Sequence, residues 1–326
     1  MAPPPIGLHN RPRSAWAAAL ALTLAGTVLA DPPAPSGWTP QNASPPPVQD
    51  VLGVRFPLPF DRPDVDRVYW DLPGQRPADS RGLVELEFTV ENPEAIRSCL
   101  VYFESGGGWY VGAVPIRRPG RQRVFLPLGS MDREGRPGDW ASIRRVRLSF
   151  WPDARRSAEF ILHTWRYVPP LAAVVVGDES LPNATERAFA AASAARVLRW
   201  LTIMGLPVAG VAERAFEGTH PARVALFPYN LRLPDRTWAE VRAFAARGGR
   251  LIVCHSADPR LAELMGVRAG AHVRLPDGLR WTSFRFTEPE RWPFPETILQ
   301  SSIQLLPVAP ARTDARIIAH WIGASS

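Results

Sequence analysis

Around Pro169 and Pro170 the apolar pattern of this chain changes period, and that change constrains the fold more than any other feature. Upstream, apolar and polar residues alternate. In "GLVELEFTV", Val84, Leu86, Phe88 and Val90 fall on one face and Glu85, Glu87 and Thr89 on the other. That is the period of a strand with one buried face. Downstream, "LAAVVV" (171–176) is a continuous apolar run, as in a parallel strand covered on both faces. The two patterns predict two domains, and 326 residues give each room for a core.

Residues 50–169 are expected to form an antiparallel β-sandwich. "LVYFESGGGWYVGAVPI" reads as strand, Gly-rich turn and strand, and "RQRVFLPLGSM", "IRRVRLSFW" and "SAEFILHTWRYV" follow at sandwich spacing. Glu85 and Glu87 share a strand face and are read as a solvated surface, not an acid/base pair. Residues 170–326 alternate strands with helices. Asn183, with Glu186 three residues on, caps a first helix, and Asp235 caps a second that stops at Gly248–Gly249. "RLIVCH" is a further strand, and Asp258–Pro259 opens the next helix. Such alternation predicts a three-layer α/β parallel-sheet domain. The whole is thus expected to be multidomain α+β.

The N-terminus reads as a signal peptide, residues 1–30. Arg11 and Arg13 precede the apolar "AWAAALALTLAGTVLA", and Val28 and Ala30 suit cleavage before Asp31. The expected location is therefore secreted or periplasmic, with no membrane contact beyond this segment. Residues 31–49 are Pro-rich and predict a linker. Lys is absent, so all 38 basic residues are Arg, scattered among 31 acids. This resembles coding bias, not a basic stripe, so no nucleic-acid partner is expected. It also excludes a Walker-A lysine, a Schiff-base lysine and a Ser-x-x-Lys site. Six dispersed His residues predict no metal site, and no cofactor is expected. Cys99 and Cys254 fall in different domains, which predicts no disulfide framework.

The segment "VALFPYNLRLPDRTWAEVRAFAARGGRLIVCHSADPRLAELMGV" resembles the class I glutamine amidotransferase-like fold, which is flavodoxin-like in plan. It is similar in particular to the accessory and trimerisation domains of secreted glycoside hydrolases. The upstream half is similar, by pattern, to the galactose-binding-like sandwiches placed beside them. The resemblance implies an exported, carbohydrate-associated module, accessory to or N-terminal within a glycoside-hydrolase-like protein. Its partners would be a glycan, a catalytic hydrolase domain or a second copy. The chain stops just after the strand-like "ARIIAHWI", which leaves open an α/β domain incomplete at its C-terminus. The family's catalytic features are missing. No glycine flanks Cys254, the "PYNLRL" loop has no glycine pair, and His272 and His320 lack an acid two residues on.

No catalytic residue is therefore assigned. The alternative is a secreted hydrolase using Cys254 or the Asp178, Glu179 and Asp258 edge, and its catalytic candidates are Cys254, His255 and Asp258. Asp178, Glu179, Tyr229 and Asn230 follow the first and third strands, at the carboxyl edge where parallel sheets bind ligands. The sandwich carries Trp70, Trp109, Tyr110, Trp140, Trp151 and Trp165. Trp109 and Tyr110, just past the Gly-rich turn, are the expected sugar-stacking pair.

Overall fold

The computed structural model describes residues 37–325 apart from 43, 51–52, 75, 78, 277 and 292–294. The segment expected to be a signal peptide lies outside the described residues. Eleven strands precede residue 169: β1 (Thr39–Gln41), β2 (Val48–Asp50), β3 (Gly53–Leu58), β4 (Val68–Pro73), β5 (Leu83–Val90), β6 (Ile96–Ser105), β7 (Gly107–Ala113), β8 (Gly120–Pro127), β9 (Asp132–Arg136), β10 (Ile143–Pro152) and β11 (Ala158–Val168). They form a six-stranded sheet, β1-β4-β10-β6-β7-β9, and a five-stranded sheet, β2-β3-β11-β5-β8. Every pairing is antiparallel.

Alternation decides which side chains meet between the sheets. Val68, Trp70 and Leu72 of β4, Val101 and Phe103 of β6, and Val146, Leu148 and Phe150 of β10 point inward. They meet Val54, Phe56 and Leu58 of β3, Leu86, Phe88 and Val90 of β5, and Phe160 and Leu162 of β11. Phe88 stacks on Phe160 at 4.7 Å, and Trp38 meets Phe56 edge-on at 5.2 Å. Each such ring is worth about 1.5–3 kcal/mol of burial. Trp38, β1 and β2 come from the Pro-rich stretch, and Pro45 O accepts a hydrogen bond from Trp70 Nε1. Cys99 is buried in this core.

Next come β12 (Ala172–Val176), α1 (Ala184–Ile203), β13 (Val208–Ala212), β14 (Val224–Phe227), α2 (Asp235–Ala246), β15 (Arg250–Val253) and α3 (Pro259–Leu264). The four strands are parallel, in the order β13-β12-β14-β15. The Asn183 side chain caps α1 by accepting from Glu186 N, and Asp258 caps α3. Pro234, not Asp235, takes the N-cap place of α2.

The expected three-layer α/β parallel-sheet domain, amidotransferase- and flavodoxin-like, is not what the chain forms. The parallel sheet stops at four short strands. α2 packs Val241 and Phe244 on Ala173, Val175, Ala225 and Phe227, while α1 lies along β12 and β13. On the α1 side Ile252 stays about half exposed, as do Phe189 and Trp200 of α1 itself. The remaining chain forms β16 (Val267–Ala269), β17 (Val273–Arg274), β18 (Arg280–Phe286), β19 (Thr297–Ser302), β20 (Gln304–Leu305), β21 (Val308–Pro310) and β22 (Ala319–Ser325), in three small antiparallel sheets. The cause lies in the sequence: after Val253 no continuous apolar run of strand length is followed by a helix. "RWTSFRF" alternates instead, which suits an antiparallel strand with one wet face. The molecule is predominantly β.

Candidate functional site

At the carboxyl edge of the parallel sheet, the expected residues serve mainly as fasteners. Asn230 is fully buried, and its Nδ2 donates to Glu213 Oε1 at 2.8 Å. Glu213 Oε2 accepts from Ser180 N at 2.9 Å, so the loops after β12, β13 and β14 are tied together. Tyr229 donates to Glu186 Oε2 at 2.6 Å. Its phenol is pushed up to about 12 by burial and by that carboxylate. Asp178 accepts from Glu179 N at 2.7 Å, and Glu179 is exposed. Asp258 is buried and accepts from Arg260 N, the Arg260 guanidinium and Leu233 N. Burial works to raise its pKa, but those donors outweigh it and hold the carboxyl below its ordinary value.

Cys254 and His255 follow β15 and are exposed, and neither side chain has a hydrogen-bond partner among the described residues. Desolvation of the sulfur pushes the Cys254 thiol up, opposite to what an activated thiolate requires. Desolvation also lowers the His255 imidazole. Among the described residues no three His, Cys, Asp or Glu converge to hold a metal ion. No helix there is long and apolar enough to cross a membrane.

The expected Trp109–Tyr110 pair is split by the pleat. Tyr110 points inward, is buried, stacks on Trp140 at 4.2 Å and donates to Gly138 O at 2.7 Å. It is a core residue, as are Trp70 and Trp165. Trp109 points outward. The Gly-rich turn places it for a steric reason. Gly106 has φ +57°, and a Cβ on Gly108 would sit 2.4 Å from Glu134 O of β9.

Outward-facing residues of β4, β6, β7 and β10 surround Trp109. Arg67, just before β4, lies over the rings of Trp151 (4.5 Å) and Tyr69 (4.6 Å). Arg147 lies over Tyr69 (4.2 Å) and Trp109 (4.8 Å), and Arg145 over Trp109 (5.3 Å). Rings and guanidiniums thus alternate in one row: Trp151, Arg67, Tyr69, Arg147, Trp109, Arg145. Tyr102 meets Trp109 edge-on at 6.0 Å. Asp71, almost fully buried, accepts from Arg147 Nε at 2.7 Å and Arg145 Nη1 at 3.1 Å. Glu104 accepts from Arg145 Nε at 2.7 Å. Burial, then Glu134, raises the Tyr102 phenol above its ordinary value.

Of this row the sequence singled out only Trp109 and, as one aromatic among six, Trp151. Tyr69, Tyr102, Arg67, Arg145, Arg147, Asp71 and Glu104 were missed. The signal is present in the polar phase of "VYWDL" and "RRVRLSFW", but it becomes a row only once β4, β10, β6 and β7 are known to be neighbours.

No family model matches the chain, and no curated protein matches it. Among solved structures it is similar to an agarase at 11% identity and TM-score 0.34, over 51% of this chain and 29% of that one. It is also similar to the family 11 carbohydrate-binding module of Clostridium thermocellum in complex with a β-1,3-1,4-mixed-linked tetrasaccharide. That match has 12% identity and TM-score 0.29, over 40% of this chain and 88% of the module. A third likeness is to the xylan-binding module CBM15, at 12% identity and TM-score 0.27, over 43% of this chain and 95% of the module. The chain spans about a quarter of the length of the agarases it matches. These neighbours are glycoside hydrolases and carbohydrate-binding modules, and the likeness is partial.

Proposed function

We propose that the chain is an exported, non-catalytic glycan-binding module, and that its site is the outer face of the six-stranded sheet. The row of rings and guanidiniums through Trp109 and Arg147 carries this proposal. Sugars present apolar C–H faces and rings of hydroxyls, and a surface that binds them offers aromatic area with fixed donors and acceptors beside it. Here the ring edges and guanidinium forks supply the first two, Glu104 supplies an acceptor, and the buried Asp71 holds the forks in place. The ion pairs and stacking hold these groups before any ligand arrives, which lowers the ordering cost of binding. Export is proposed from Arg11, Arg13 and the apolar run behind them. The role beside a separate catalytic hydrolase domain is proposed from the sequence resemblance. The raised Cys254 thiol and the structural engagement of Asp258 argue against the hydrolase alternative.

The test is binding of the full chain to a panel of neutral and acidic polysaccharides, with Trp109→Ala and Tyr110→Phe alongside. The expected result is binding that Trp109→Ala weakens about tenfold or more, as for loss of an aromatic anchor, and that Tyr110→Phe leaves intact. Binding indifferent to Trp109, or none across the panel, would overturn the assignment of the face.

A further inference from the structure

Arg67 differs from the other guanidiniums of the row. Arg147 and Arg145 are each neutralised, the first by Asp71 and the second by Asp71 and Glu104. Arg67 has no carboxylate within ion-pair distance among the described residues, and its sequence neighbour Asp66 makes no ion pair with it. Its one acceptor among the described residues is the Ser149 hydroxyl, 3.1 Å from Nη2, and that serine is itself fully buried. Its Nε is buried with no acceptor among the described residues. The guanidinium is half-buried, held between Trp151 and Tyr69, with Tyr102 5.8 Å away.

A half-buried cation without a counter-charge is unfavourable unless something supplies one. The flanking rings offset part of that cost and fix the plane of the fork, but they neutralise nothing. A planar guanidinium held this way suits an oxyanion.

We infer that this face selects an acidic glycan, one carrying a carboxylate or sulfate group, and that Arg67 receives the oxyanion at the Trp151 end of the row. This rests on the glycan-binding assignment of the face and names its ligand class.

The decisive comparison uses the unaltered protein. A polyuronate is set against the same polymer methyl-esterified, and a sulfated galactan against its desulfated form. These two arms distinguish carboxylate from sulfate. At least one acidic form is expected to bind about tenfold or more tighter than its neutral partner, from charge-assisted hydrogen bonds. That preference should shrink as salt is raised. Arg67→Gln should abolish the preference while leaving residual neutral binding sensitive to Trp109→Ala, and Arg67→Lys should restore little of it. Equal, Trp109-dependent binding of acidic and neutral forms would overturn the inference and leave the glycan face standing. No binding to either form would overturn both.

Discussion

The two outer faces of the sandwich use the same residue, arginine, to opposite ends. On the five-stranded sheet, Arg55 meets Glu159 at 2.7 Å, Arg121 meets Glu87 at 2.8 Å, and Arg166 meets Glu85 at 2.7 Å. Arg123 lies between Glu85 and Glu87 at 3.4 and 3.5 Å. Each of these cations is held by a carboxylate across the strand. On the six-stranded sheet, rings intervene between the guanidiniums of the row, and one of its three, Arg67, has a ring on each side and no carboxylate among the described residues. A carboxylate neutralises an arginine and consumes its donors. A ring supports the charge without neutralising it. One face is therefore closed electrostatically, and the other is left with a charge to share.

The largest effects should come from the buried carboxylates, one on each face. Asp71 and Glu85 are both nearly fully buried, and each faces two arginines. Asp71→Ala and Glu85→Ala should each lower stability by about 3 kcal/mol, because the stranded guanidiniums stay behind. Denaturant midpoints measure this. Only Asp71→Ala should also abolish glycan binding, and equal binding losses in both would erase the contrast between the faces.

Next in size is the centre of the row. Arg147→Lys keeps the charge but loses the fork on Asp71 and the planar contact with Tyr69 and Trp109. The expected cost is about 1–2 kcal/mol in stability, with glycan affinity down by about tenfold. Arg67→Gln is the counterpart. It removes a cation that no carboxylate among the described residues holds, so stability should change by less than about 1 kcal/mol. A thermal melt and a binding isotherm on the same two variants separate packing from recognition.

How much of this was legible in the sequence follows from which distances matter. Strand period is local, so the core face of β5 and the inward set of β10 could be read directly. So could the Asn183 cap, because Glu186 lies within the same turn. Phase failed where both phases carry aromatics. Trp109 and Tyr110 look alike in composition, and only pairing with β6 and β9 decides which turns inward. Glu85 and Glu87 looked like a solvated face, yet arginines from β8 and β11 cover Glu85. The row joins residues brought together by strand order, and strand order is set by long-range packing. The C-terminal half misled for the related reason that strand–helix grammar is local while sheet size is not. Four parallel strands and three helices obey that grammar without building the expected three layers.

The smallest effect sharpens the comparison at its edge. Glu87 lies between Arg121 and Arg123, two largely exposed cations. Burial works to raise its carboxyl, but the hydrogen bond from Arg121 and the charge of Arg123 outweigh it and hold the pKa below its ordinary value. A carboxyl lowered on folding contributes stability above its unfolded pKa and loses it as pH falls through the folded value. Arg121→Ala should therefore move the Glu87 titration upward, seen by carboxyl NMR, and raise the pH at which acid unfolding begins. At neutral pH the same variant should cost less than about 1 kcal/mol, since the pair is open to water and screened. Glu85, buried beneath Arg166 and Arg123, should cost several times more. That ratio measures how far burial, and not charge count, makes the closed face of this sandwich closed.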